Sequence, residues 1–237
     1  MIFSSAMAND AFLHQVPLFK ELSERHLHQL ESISEERSFQ KNEVVCRLQE
    51  AGNSFHVVRE GTVKVSIQDR IGKEIILYLV QAGDFLGEAS LFDGSCQLGM
   101  AITLGPCRTL EISRYRFMDF VMEHPGMLLG MLSTLSMRLR RAEQRISRLV
   151  FADAYEKVAS VLTDALEEAE TPLDAGVEVL LPLSHKDLAS LVGISRETFT
   201  RIMTDFQKAG VIRMKSRRIA IINPGRLKRE AGKSGYA

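Results

Sequence analysis

The chain of 237 residues has no charge-free apolar run of about 18 residues, and its start, MIFSSAMANDAFLHQ, lacks a basic region ahead of a long apolar core. Neither a membrane span nor an export signal is therefore expected, and the cytoplasm is the expected compartment. Cysteine is scarce: Cys46, Cys96 and Cys107 are widely spaced, odd in number and without a CxxC pair. That excludes a disulfide framework and a zinc site, leaving buried or free thiols. Also missing are a Gly-rich phosphate loop, HExxH, GxSxG and any His/Asp set at ligand spacing, so no enzyme and no metal centre is expected.

What is present is ordinary globular composition, 45% apolar and 25% charged, at a length suited to two domains. Formal net charge is zero but unevenly spread. Residues 181–237 hold twelve Lys and Arg against four Asp and Glu, a net of +8, which leaves −8 for the first 180 residues. A polyanion would bind the basic end.

Along the chain, PLFKELSERHLHQL (17–30) has helical spacing, with Ser23 placed as a cap. From Phe39 to Ser113 short segments (EVVCRL, SFHVVRE, TVKVSIQ, EIILYLV, AITL) alternate with turn signals, the mark of a small antiparallel barrel or jelly roll. Between Pro125 and Phe151, Leu128, Leu132, Leu135, Leu139, Ala142, Ile146 and Leu149 alternate steps of four and three. This heptad seam predicts a parallel homodimer, against the plainer reading of one helix packed on its own domain. A second amphipathic helix, DAYEKVASVLTDALEEAE, ends at TPLDAG.

The basic end then reads as two helices joined through Gly193, followed by two short strands around the turn KSRR, with Pro224 ending the second. Ser184 and Ser195 are placed as N-caps, Gly193 permits the tight turn, and Phe199, Ile202, Met203 and Phe206 repeat at inward spacing. Arg196, Glu197, Thr200 and Arg201 are left facing outward. A helix-turn-helix presents such residues to base edges in the major groove, where arginine pairs with guanine and glutamate accepts from cytosine. Ser195, Thr198, Lys215 and Arg217 would hold phosphates. Glu197 and Arg201 could instead be a helix-stabilising i,i+4 pair.

The glycine-punctuated barrel with GDFLGEASLFDG, the helix from HPGMLL to RLVFADA, and LASLVGISRETFTRI together resemble the cyclic-AMP receptor protein and fumarate-nitrate regulator superfamily of bacterial transcription factors. The resemblance spans Leu18 to Pro224 and implies an α+β chain. Its parts would be an antiparallel β-roll or jelly-roll sensor domain of the cyclic-nucleotide-binding type (1–124), a central dimerisation helix (125–153) and a winged helix-turn-helix domain (154–237). Double-stranded DNA and a second copy are the implied partners, with RNA polymerase added if the protein activates. In the receptor-protein type, R-E-x-x-x-R reads a TGTGA-like half-site, which here falls on Arg196, Glu197 and Arg201. The fumarate-nitrate pattern fits only in part, because Thr200 stands at its serine.

The same resemblance places an effector pocket at Gly87, Glu88, Gln97, Leu98, Met100 and Ala142. Gly87-Glu88 match the pair that contacts a ribose. Gln97-Leu98, or Leu98-Gly99 in the neighbouring register, stand where the phosphate-binding Arg-Ser belongs, and Ala142-Glu143 replace the adenine-reading Thr-Ser. Without its charged partner a buried phosphate is not held, so no response to cyclic AMP is expected. The apolar Leu98 and Met100 admit a hydrophobic ligand or haem, with His56 the most suggestive of six histidines although a lone strand histidine is more often structural. An iron-sulfur cluster of the fumarate-nitrate type needs four cysteines, and with three, none before Cys46, it is not expected. Oxidation of Cys96, or control without any ligand, completes the alternatives; a non-specific architectural DNA binder is the competing function.

Overall fold

The computed structural model describes residues 12–46, 53–93, 99–168, 177–180, 183–215 and 218–232. A 3₁₀ turn, Pro17–Phe19, leads into α1 (Glu24–Ser32), whose Leu27 and Leu30 are buried. Ser23 is the N-cap through its carbonyl alone, which accepts from the His26 and Leu27 amides; its side chain makes no cap bond, contrary to expectation.

Eight strands follow: β1 (Ser34–Phe39), β2 (Val44–Cys46), β3 (Ser54–Glu60), β4 (Val63–Gln68), β5 (Glu74–Val80), β6 (Phe85–Leu86), β7 (Met100–Thr103) and β8 (Cys107–Ser113), with α2 (Glu88–Asp93) between β6 and β7. They form two antiparallel sheets, β1-β8-β3-β6 and β2-β7-β4-β5. Val58, Leu86 and Cys107 from the first sheet meet Val63, Val65, Val80 and Ala101 from the second, filling the interior of the sandwich. On its other face the first sheet turns Phe55, Val57, Leu110 and Ile112 toward helices. That explains why the four consecutive residues Phe55–Val58 of β3 are all buried: the strand is covered on both sides.

The helical cover includes α1, Leu91 of α2, α3 (Arg114–Glu123) and the start of α4 (Gly126–Phe151). Phe117 of α3 stacks on Phe55 at 4.0 Å between ring centroids, and Met127 and Met131 of α4 complete this core. The chain divides into two compact units at Leu139/Arg140, inside α4.

The second unit holds α5 (Ala154–Glu168), α6 (His185–Val192), α7 (Arg196–Lys208), α8 (Pro224–Ala231) and a three-stranded antiparallel sheet, β10 (Ile212–Lys215), β11 (Arg218–Ile221) and β9 (Val177–Leu180), in that order. The wing thus has a third strand, β9, that the sequence reading left out. Pro224 does end β11, but as the first residue of α8, capped by Asn223 Oδ1 on the Arg226 amide at 2.9 Å. The architecture is an antiparallel β-rich domain, a long helix and a winged helix-turn-helix domain.

His56 of β3 is 3% exposed, with Nε2 3.0 Å from Ser54 Oγ and Nδ1 3.3 Å from Thr109 Oγ1. Hydroxyls donate or accept, so a neutral ring is satisfied in either tautomer. Burial holds this imidazole below its ordinary value; Arg37 adds to the depression and Glu111 opposes it. The unfolded chain therefore takes up a proton near pH 6.5 that the folded chain refuses, and stability falls as pH drops below that value. Urea unfolding at about pH 7.5 and about pH 5.5 should show a smaller loss of midpoint for His56→Gln than for the wild type.

Candidate nucleic-acid interface

Helix α6 starts at Ser184, whose Oγ accepts from the Asp187 amide at 3.1 Å and donates to the Asp187 carboxylate at 2.5 Å. Leu188, Ala189 and Val192 are buried and Leu191 half-buried. Gly193 ends the helix in the left-handed region at φ +75°, with its own amide and that of Ile194 both donating to Ala189 O. A side chain there would be strained, and its Cβ would lie 2.7 Å from Leu149 Cδ2.

Two residues later Ser195 caps α7, accepting from the Thr198 amide at 3.1 Å and donating to Thr198 Oγ1 at 3.0 Å. Phe199, Ile202, Met203 and Phe206 are buried, while Arg196, Glu197, Thr200 and Arg201 are exposed. Glu197 and Arg201 form no ion pair among the described residues. The Glu197 carboxyl is held below its usual range by a backbone amide at the helix start, then by Ser195 and Arg196. It is therefore an anion and a pure acceptor at neutral pH. Both guanidinium groups point outward beside it.

Sequence reasoning passed over two supports of this surface. His185, the first residue of α6, sets its ring edge against Phe199 (centroids 5.5 Å) and its Nδ1 3.4 Å from Thr200 Oγ1. Tyr155 of α5 donates to the Asp205 carboxylate at 2.6 Å, fixing the back of α7. The position of His185 directly after the Ser184 cap was the signal for the first; nothing in the sequence pattern marks the second. Lys215 is the last residue of β10, and Arg217 lies outside the described residues.

In the first unit Gly87 adopts φ +94°, and a Cβ there would collide with Ser54 O. Glu88 beside it is buried. Arg138 of α4 donates from Nη1 to Glu88 Oε1 at 2.7 Å and from Nη2 to Phe85 O at 2.6 Å. Its guanidinium lies over the rings of Phe85 and Tyr78, at 4.7 and 5.2 Å from their centroids. Glu88 Oε2 is buried and has no hydrogen-bond partner among the described residues. Met100 is half-buried on β7, Ala142 is exposed and belongs to the second unit, and Gln97, Leu98 and Cys96 lie outside the described residues. Arg138, 50 residues away in sequence, is the partner of Glu88 that sequence reasoning missed. Burial pushes the Cys46 thiol up to about 12, with Glu88 next in effect, and Cys107 up to about 11. Both thiols are protonated at neutral pH and poorly nucleophilic. Among the described residues no group of three His, Cys, Asp or Glu could hold a metal, and no helix is long and apolar enough to cross a membrane.

On α4, Leu132, Leu139, Ala142 and Ile146 are exposed, Leu135 and Leu149 half-buried, and Leu128 packs on the core of its own domain. Leu129 and Val150, which were not in the seam, are exposed as well, at 72% and 67%.

Residues 36–124 match the cyclic nucleotide-binding domain family and residues 156–230 the Crp-like helix-turn-helix domain family. The chain is 30% identical over 185 residues to the cAMP-activated global transcriptional regulator CRP of Pasteurella multocida, covering 77% of this chain and 83% of that one. Against the CRP-like cAMP-activated global transcriptional regulator of Mycobacterium tuberculosis, identity is 28% over 193 residues, 81% and 86% of the two chains. Among solved structures, FixK2 from Bradyrhizobium japonicum superposes with a TM-score of 0.73 at 21% identity, covering 83% of this chain and 96% of that one. The c-di-GMP-responsive regulator CLP of Xanthomonas campestris also gives 0.73, at 24% identity and 84% and 99% coverage. With both domain families in this order and relatives matched over most of their length, the chain belongs to the CRP/FNR superfamily of transcription regulators.

Proposed function

We propose that this DNA-binding regulator acts as a homodimer that reads a TGTGA-like palindrome. The observation that carries the reading is the pair of exposed guanidinium groups, Arg196 and Arg201, flanking the anionic Glu197 on the outer face of a capped helix. Arginine offers a paired donor fork to guanine O6 and N7, and the glutamate accepts from cytosine N4. Thr200 stands beside them, Ser195 and Thr198 with the first amides of α7 receive a phosphate, and Lys215 and Arg217 of the wing follow the backbone. Dimerisation runs along the exposed apolar stripe of α4, in a chain organised as a sensor domain (1–124), central helix (125–153) and DNA-binding domain (154–237). RNA polymerase is the further partner if the regulator activates.

The effector is a small uncharged molecule rather than cyclic AMP. Glu88 already neutralises Arg138, its buried Oε2 calls for an N–H or O–H donor, and Gln97-Leu98 supply no cation for a phosphate. The related regulators of Pasteurella and Mycobacterium are described as cAMP-activated, which makes the point decidable.

Three measurements test this reading. Competition of a TGTGA palindrome against scrambled duplex at fixed salt should favour the palindrome by a factor of about 1,000 or more; equal binding would indicate a non-specific architectural protein. Arg196→Ala or Arg201→Ala should weaken the palindrome about 10- to 100-fold per half-site and relax preference at one base, whereas Lys215→Ala should weaken all sequences alike. Leu139→Glu, which places a charge in the apolar seam, should give monomers by light scattering. For the effector, isothermal calorimetry with cyclic AMP should show no heat at micromolar concentrations, and micromolar binding would reverse the assignment.

A further inference from the structure

Helix α6 closes with two amides, those of Gly193 and Ile194, on one acceptor, Ala189 O. The carbonyls after it therefore have no intrahelical partner and need one from elsewhere. For Leu191 O that partner is Arg145 of α4, whose Nη2 donates to it. The half-buried guanidinium brings a cation to the negative end of the α6 dipole. Burial pulls Arg145 down to about 10, which still leaves it charged at neutral pH. One turn further along α4, Leu149 Cδ2 occupies the space that a Cβ on Gly193 would need. Arg145 and Leu149 thus hold the two sides of the helix-turn-helix turn, Leu191 and Gly193.

The end of α4 is fastened to the same domain at two more places. Arg148 donates to both carboxylate oxygens of Asp164 on α5, at 2.6 and 3.2 Å, and Lys157 Nζ donates to Leu149 O at 3.0 Å. These ties grip α5, whereas Arg145 and Leu149 meet the turn that precedes α7.

We propose that Arg145, with Leu149, is a positioning residue for DNA recognition: it locks the turn onto the end of the central helix and so fixes the direction in which each α7 of a dimer is presented. The inference rests on the DNA reading above, and it assigns to Arg145 no contact with DNA. A palindrome requires both recognition helices to engage at once, so a loosened turn lowers the effective concentration of the second helix at its half-site without changing what one helix reads.

The test pairs two readouts in the full-length protein. Arg145→Met keeps length and apolar stem but removes the donors; Arg145→Lys keeps a donor and the charge; Leu149→Ala removes the apolar half of the clamp. Binding is measured on the palindrome the wild type selects from random duplexes and on a duplex holding one half-site. Arg145→Met should lose about 10-fold or more on the palindrome and less than about two-fold on the half-site, with Arg145→Lys restoring most of the loss. Loss of equal size on both duplexes would make Arg145 a folding or DNA-contact residue and overturn the proposal. The second readout needs no DNA: spin labels at Gln144 of α4 and Gln207 of α7, in a cysteine-free chain diluted with unlabelled protein, report one intrachain distance. A distribution that broadens in Arg145→Met and Leu149→Ala while unfolding temperature is kept supports the clamp; an unchanged distribution overturns it. Failure of the wild type to select any palindrome would refute the DNA reading, and the distance distribution would still decide the clamp.

Discussion

The interface depends on how one helix is rolled about its axis. Phe199, Ile202, Met203 and Phe206 of α7 fall at i, i+3, i+4 and i+7, and all four are buried. Four such anchors leave the helix a single rotational setting, because turning it by one residue would expose rings and bury charge. With that setting fixed, Arg196, Glu197, Thr200 and Arg201 cannot do other than face solvent. The Ser195 cap fixes where the helix starts, and hence which side chains share its first turns. Recognition chemistry here is a consequence of apolar packing on the opposite side.

The β-roll applies the complementary rule, that charge inside must be matched. Glu88 is its buried carboxylate nearest the expected effector site, and the Arg138 guanidinium meets it with a hydrogen-bonded ion pair while two aromatic faces cover the cation. The neighbouring ionisable groups are kept neutral by the same environment: burial pushes Tyr78 and Cys46 each up to about 12, and Glu88 adds to both. A second charge brought by a ligand would need its own counter-ion here. A donor for Glu88 Oε2 would need nothing further.

Legibility in the sequence followed the strength of local pattern. The helix-turn-helix was readable to the residue, because cap, left-handed glycine and amphipathic spacing all act within a few positions and agree with one another. Strands β3, β4 and β5 were readable as short alternating or apolar segments between glycine turn signals. Strand β1, SEERSF, was not: it is an edge strand with four consecutive exposed residues, held by pairing with β8 rather than by burying a face. Helix α3, RYRFMDFVME, hid because only Phe117, Phe120 and Val121 turn inward. The Glu88–Arg138 pair joins positions 50 residues apart, and no local pattern signals such a contact. The cap assigned to the Ser23 side chain was not formed, although its φ of −73° and ψ of 160° match those of Ser184, which does cap its helix.

Helix α4 shows how one sequence can carry two patterns at once. Met131, Arg138 and Arg145 recur every seven residues, and each contacts its own chain: the β-roll core, the Glu88 carboxylate and the α6 terminus. Leu132, Leu139 and Ile146 recur with the same period one residue on, and all three are exposed. One residue is about 100° of helix rotation, so the two rows lie on adjacent faces of the helix, with the row through Leu135 between them. Arginine suits the inner row because its apolar stem packs along the helix while its fork reaches a distant carboxylate or carbonyl. A leucine there could not satisfy those acceptors, and an arginine in the outer row would spoil an apolar seam. The seam read from the sequence joined the exposed row to a third, Leu128, Leu135, Ala142 and Leu149, and of that third row Leu128 packs on the core of its own domain and Leu149 against Gly193.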